Sequence, residues 1–379
     1  SGVSHHWSVL ASIGMWGSFL ILTFYSVVAG WVLYYIGLFG IDLVQNGFGP
    51  AFQGGEPERI AGMLGGLFES GPLLVLLHAA VMALTIFIVM HGISGGIEKA
   101  ALWLMPAFFL LLVAITLYAL STGDAAAGIA FMFDFKPERL LHGPVMLSAL
   151  GQAFFSLSLG VGTMLIYGSY LSKDVSLPKM GALVTLVDVG IAFTAGLLII
   201  PAMYVAQAHG TAILTESGDL MAGPGLIFQV LPALFDTMGA AGTPVALAFF
   251  ALMSIAAVTS SISMLEVPVS LAVEKTGAPR RQAALLIGGL IFAFSAVIIF
   301  NFEQMFDGVI ALTTQYSQPI LGVMLCLFAG WIMHRNHLLA ELKEGQPDVE
   351  SSLFWKIWPT YVRFVCPILI LAAFWQSVA

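Results

Sequence analysis

Of 379 residues, 59% are apolar and 9% are charged, against roughly 25% charged in ordinary soluble domains. So little charge excludes a soluble globular fold of this size, and a net charge of −8 without basic clusters excludes a nucleic-acid-binding surface. Cys326 and Cys366 both sit in apolar runs and imply no disulfide framework.

No charged residue lies between Glu69 and Glu98, or between Asp307 and Arg335, and each gap exceeds the roughly 20 residues that cross a bilayer core. Within lipid such runs are helices unless they alternate as barrel strands do. The run from Leu73 to Met90 shows no alternation. The pattern predicts an all-α, polytopic membrane protein with one transmembrane domain over 1–379 and nine spans. In chain order these are 9–38, 72–92, 101–121, 145–171, 181–206, 244–273, 282–300, 308–333 and 359–378. A shorter apolar stretch at 223–237, rich in glycine and proline, is too short to cross and predicts a loop or re-entrant helix.

Alternate loops divide the basic residues unequally. One set holds Lys99, Lys173, Lys179, Lys275, Arg280, Arg281, Arg335, Lys343, Lys356 and Arg363; the other holds Arg59, Lys136 and Arg139. Excess Lys and Arg mark the cytoplasmic face. The expected orientation has the first residues cytoplasmic and the C-terminus external, in the inner (plasma) membrane. The outer loops carry acids such as Asp42, Glu56, Glu58, Glu69, Asp124, Asp134, Glu216, Asp219 and Asp236. Residues 1–7 lack the basic region of a secretory signal.

Polar groups at membrane depth are costly and usually functional. In the fourth span, Ser156-Leu157-Ser158-Leu159-Gly160-Val161-Gly162 weakens the helix at mid-bilayer. A break there exposes carbonyls and half-helix ends that bind cations and carboxylates, although Gly and Ser also serve close helix packing. In the sixth span, Thr259 and Ser260 with the Ala256 carbonyl form an oxygen cluster suited to a hard cation; the bland alternative is hydroxyl bonding back to the preceding turn. Asp188 in the fifth span needs a cation, a proton or a helix terminus unless it is interfacial. Glu266 is a similar case, as structural anchor or gate element. His78 is a lone histidine that packs. No zinc spacing, phosphate loop or nucleophile elbow is present, so no enzymatic activity is expected.

In chain order these features resemble the neurotransmitter:sodium symporters, in particular the bacterial amino-acid transporters. Gln152 to Gly162, followed by Tyr167-Gly-Ser-Tyr170, is similar to the family's unwound sixth helix and the tyrosines below it. Gly92 to Lys99 with Met105-Pro106 resembles its loop between helices four and five. Val258-Thr-Ser-Ser-Ile262 with Arg280-Arg281 resembles its helix eight and the following loop, and Phe24-Tyr25 with Trp31 suits its third helix. The resemblance implies an inverted-repeat, broken-helix fold with the nine spans equivalent to helices three to eleven. Residues 1–121 are then the remainder of the first repeat, 145–333 the second, and 359–378 an additional span. Helices one and two are absent from the sequence, and truncation is the expectation.

The resemblance further implies that Tyr25 donates to a substrate carboxylate, and that Ile21, Phe155, Ser158, Val161, Ser260 and Met264 line the side-chain pocket. Ala256, Thr259 and Ser260 contribute to one Na+ site, Ser156 and Asp188 to the other. Phe155, Tyr170 and Glu274 serve as gates. Asp188 stands where most members carry Asn, and Ala192 where chloride-dependent members place Ser, which implies chloride independence. The acidic outer-gate position falls on Ile310, with Asp307 one turn away. The expected function is sodium-coupled symport of a small neutral, hydrophobic or aromatic amino acid. The expected partners are that substrate, sodium ions and the lipid bilayer. The alternatives are a broken-helix transporter for another solute, such as a nucleobase or polyamine, and a non-transporting membrane scaffold.

Overall fold

A backbone in hydrocarbon has no water to bond, so each apolar run satisfies its N–H and C=O groups within itself as helix. The computed structural model describes residues 5–53, 62–121, 125–140, 142–208, 210–214, 220–221 and 223–378. Arg59 and the loop acids Glu56, Glu58, Asp124, Glu216 and Asp219 lie outside the described residues, as does the side chain of Arg139. Among the described residues no strand forms beyond an isolated bridge between Leu214 and Leu220.

Among the described residues, eight helices are long and apolar enough to cross a membrane. The main helices of the first part are α1 (Val9–Asn46), α2 (Gly71–Met90), α3 (Glu98–Ser121) and α4 (Gly143–Ser156). They are followed by α5 (Thr163–Ser169), α6 (Leu177–Ala208), α7 (Gly242–Thr276) and α8 (Arg280–Phe300). Two further segments, α9 (Gln318–Leu327) and α10 (Cys366–Val378), belong to the longer spans Gln304–Ile332 and Leu353–Gln376. The expected fourth span is not continuous: it is the pair α4 and α5, interrupted between them. The expected ninefold crossing is therefore eight continuous helices and one broken one. Several ends run past the hydrophobic windows, as α1 does to Asn46, because backbone hydrogen bonding continues where side chains turn polar.

At 38 residues and 1.5 Å per residue, α1 is about 57 Å long, well beyond the hydrocarbon core. It packs along α7, with α2 and α8 on its flanks. Glycine permits the close approach to α2: a Cβ on Gly30 would lie 3.3 Å from the His78 nitrogen. His78 is fully buried with its ring stacked on Phe292 at 5.0 Å.

The C-terminal end of α1 and the N-terminal end of α7 are tied together by Asp42. Its buried carboxylate accepts from Asn46 Nδ2 at 2.7 Å, the Phe52 N–H at 3.2 Å and the Thr243 hydroxyl at 2.7 Å. A buried carboxylate is tolerable only when bonded this fully, and the N-terminus of α7 beside it adds a favourable dipole. The 223–237 stretch is helical, as expected for a loop helix. Its Phe228 carbonyl accepts from the Tyr35 hydroxyl at 2.7 Å, and residues 231–235 are buried. By contrast α4 buries none of its residues, and α6 buries only positions 198–206 near its C-terminal end.

Candidate functional site

The chain departs from regular helix between α4 and α5. Ser158 (φ 53°), Gly160 (φ 75°) and Gly162 (φ 81°) all take positive φ. Glycine adopts this freely, whereas for Ser158 it costs about 1–3 kcal/mol. Space demands glycine as well: a Cβ on Gly160 would fall 2.1 Å from the Gln318 carbonyl oxygen, and one on Gly14 would fall 2.9 Å from Gly162 Cα.

Unwinding strands carbonyls that a helix would have used. Two of them are met from other helices. Ser18 of α1 donates its hydroxyl to the Val161 carbonyl, and Gln318 at the start of α9 donates Nε2 to the Leu159 carbonyl at 2.7 Å. Both side chains are buried. Sequence reasoning missed them. The signal for Gln318 was the polar run Thr313-Thr-Gln-Tyr-Ser-Gln318 inside the eighth span; Ser18 is one small residue among many in α1 and gave none.

At the end of α4, the Ser156 hydroxyl donates to Asp188 Oδ1 at 2.7 Å. Asp188 is half-buried and stands about three turns into α6. It lies within the apolar stretch of that helix. On α7 the Thr259 hydroxyl donates to the carbonyls of Ile255 at 2.9 Å and Ala256 at 3.0 Å, the back-bonding common in membrane helices. The adjacent Ser260 side chain lies close to the Tyr25 hydroxyl on α1.

Ser18, Ile21 and Tyr25 follow at spacings of three and four and share one face of α1. Ile21 and Val161 are buried in one apolar cluster, with Tyr25 and Met264 packed against it. Ile21, Tyr25, Val161 and Met264 thus belong to one apolar cluster that reaches the break, and Ser260 stands close to Tyr25. Phe155 is not among them. It is 48% exposed and lines, with Phe154 and Gln318, a crevice of about 180 Å³ shared with α10. Ser158 lines a neighbouring crevice of about 360 Å³ that also holds Cys326 and Cys366.

One polar network follows α5. Tyr170 donates to Glu266 and contacts the Ser270 hydroxyl at 2.9 Å, while the Tyr167 and Ser263 hydroxyls pair at 2.9 Å. Glu266 is fully buried and ion-paired to Arg280, whose Nε donates to the Val89 carbonyl at 2.9 Å. Tyr170 therefore engages Glu266. Glu274 is exposed and makes no ion pair among the described residues. Asp307 is exposed on the helix Phe302–Ile310.

A mid-membrane break whose carbonyls are met from α1 and α9, flanked by Ser156–Asp188 and Tyr25–Ser260, is the arrangement of a broken-helix transporter. The family model for the sodium:neurotransmitter symporter family matches residues 58–379. The chain belongs to this family. Its members are sodium-coupled membrane transporters and not enzymes. Among relatives of this symporter, the uncharacterised sodium-dependent transporter YhdH of Bacillus subtilis is 29% identical, over 97% of this chain and 79% of its own. An uncharacterised sodium-dependent transporter of Haemophilus influenzae is 30% identical, over 98% of this chain and 79% of its own. Among solved structures, that of MhsT in complex with L-phenylalanine superposes with a TM-score of 0.81 at 35% identity, over 98% of this chain and 81% of that one.

Proposed function

We propose that this symporter moves a small neutral amino acid with a hydrophobic or aromatic side chain, coupled to sodium, by alternating access. The observation that carries the reading is the cluster that reaches the break. The Tyr25 and Ser260 hydroxyls offer polar contacts for a carboxylate, while Ile21, Val161 and Met264 present an apolar wall with no charged side chain among them. The bound L-phenylalanine of the MhsT structure supports the same substrate class here. Ser158 lines the pocket and Phe155 closes over it from outside.

Sodium is a co-substrate with two sites. Ser156 and Asp188 hold one, and the Asp188 carboxylate supplies a negative charge that makes chloride unnecessary. The Ala256 carbonyl, Thr259 and Ser260 hold the other, the Thr259 hydroxyl turning from its carbonyl acceptors to present its oxygen to the ion. Ions bound beside the break favour the outward-open state and substrate closes it; coupling is the difference in affinity between the two states. Tyr170 and Glu274 act at the inner gate. Residues 1–121 belong to the first structural repeat and 145–333 to the second, in an inner membrane with the basic loops cytoplasmic.

The test is uptake of labelled neutral amino acids into proteoliposomes under an inward sodium gradient, using the product of the complete gene. Uptake is expected to need sodium, to persist when gluconate replaces chloride, and to vanish in Asp188→Ala and Thr259→Ala. No sodium-dependent uptake would shift the reading to another solute or to a scaffold. A steep dependence on chloride would overturn the role given to Asp188.

A further inference from the structure

The span Gln304–Ile332 leads into a short helix, Arg335–Gly345, and the chain re-enters the apolar region at Leu353. Between these ends lies a cavity of about 510 Å³ whose wall includes Met333, Arg335, Trp355, Lys356, Trp358 and Arg363. Neither this cavity nor its residues take part in the site at the break.

The wall is rich in donors and poor in acceptors. Arg335, Lys356 and Arg363 form no ion pair among the described residues, and the one carboxylate on the wall, Glu350, is bonded to Lys343. Two of the cations are held by neutral groups instead. The Arg335 guanidinium lies 5.5 Å over the Trp355 ring, and that of Arg363 lies 4.8 Å over Trp331 while its Nε donates to the Gly330 carbonyl at 2.7 Å. Such contacts fix position without neutralising charge. Independently, Trp355 is 3% exposed and its indole N–H has no acceptor among the described residues, a costly omission for a buried donor.

Depth and flanks identify the missing acceptor. Tryptophan and arginine at span ends occupy the headgroup layer. On either side Trp331, Leu353 and Ile357 are 54%, 71% and 53% exposed, an apolar rim that acyl chains would cover and a soluble anion would not. We propose that this cavity binds the phosphate of an anionic phospholipid, seated by Arg335, Lys356 and Arg363 with its chains along the ends of the last two spans.

The full chain in a neutral detergent is titrated with phosphatidylglycerol or with phosphatidylcholine of the same acyl chains. Thermal unfolding and native mass spectrometry read the response. Phosphatidylglycerol is expected to raise the melting temperature more than phosphatidylcholine and to stay bound. The combined variant Arg335→Gln, Lys356→Gln should weaken that effect by about tenfold or more, and Lys99→Gln, in the first turn of α3, should leave it unchanged. Lys356→Gln alone touches no packed contact, so its weaker response keeps the test decisive if the double variant folds poorly. Equal responses to the two lipids, or an undiminished response in the variants, would overturn the proposal. So would an equal effect from inorganic phosphate, which would mark a soluble-anion site.

Discussion

Gly160 and Ser158 both take positive φ in the same loop. Gly160 combines a positive φ with contact against the Gln318 backbone, so both strain and overlap oppose any side chain there. Gly160→Ala is expected to destabilise by about 2–4 kcal/mol, read as a lower unfolding temperature in detergent and loss of uptake. Normal stability would show that the break can relax away from α9. Glu266 offers a second test. Removing one member of a buried ion pair strands the other, at about 3–5 kcal/mol, so Glu266→Ala should be severe. Glu266→Ala combined with Arg280→Ala should cost less than the two single losses added. Simple additivity would mean that the pair is not coupled in the folded protein. The sequence showed Glu266 to be unusual because carboxylates at such depth are rare, yet nothing local pointed to Arg280 across the turn or to Tyr170 from α5.

The helix Arg335–Gly345 and the turn Pro347–Ser351 share a small buried cluster of Leu342, Val349 and Trp355 and are tied further by polar contacts, two of them to residues 173 and 176. Ser176 donates to Gln346 at 2.8 Å, Lys173 pairs with Glu344 at 3.3 Å, and Lys343 bonds Glu350. The hydrogen bond and charge of Lys343 hold the Glu350 carboxyl below its ordinary value. A depressed carboxyl contributes stability above its unfolded value, and that contribution fades as pH falls through the folded value. Hydrogen exchange in residues 335–351, corrected for intrinsic rate, should therefore rise as pH drops below the ordinary carboxylate range. Lys343→Gln should show the raised exchange already at neutral pH; an identical profile would remove the pair from the account. The existence of these helices was legible only in part. Their boundaries follow local hydrogen bonding, whereas the hydrophobic run marks only the segment that lipid surrounds, which is why the last span starts at Leu353 and not at residue 359.

Sodium binding to the folded protein links transport to stability. A ligand that binds only the native state stabilises it by about 2.7 kcal/mol at a hundredfold excess over its dissociation constant. The melting temperature is thus expected to rise with sodium chloride and not with choline chloride, and Asp188→Ala should blunt the rise. Equal effects of the two salts would be ionic strength alone and would count against a sodium site at Ser156 and Asp188.

Membrane class, helical content and the approximate spans follow from the sequence, which also marked residues 156–162 as the weak point of the fourth span. They depend on local quantities: the length of an apolar run, and glycines and serines that weaken a helix. The tertiary structure decided the partners. It joined Ser156 to Asp188 and Gln318 to Leu159, 32 and 159 residues apart, placed Tyr170 on Glu266, and left Phe155 half exposed on a helix with no buried face. In a helix apolar on every side, periodicity does not say which face meets which neighbour. Small residues and buried polar contacts settle that only when the helices pack.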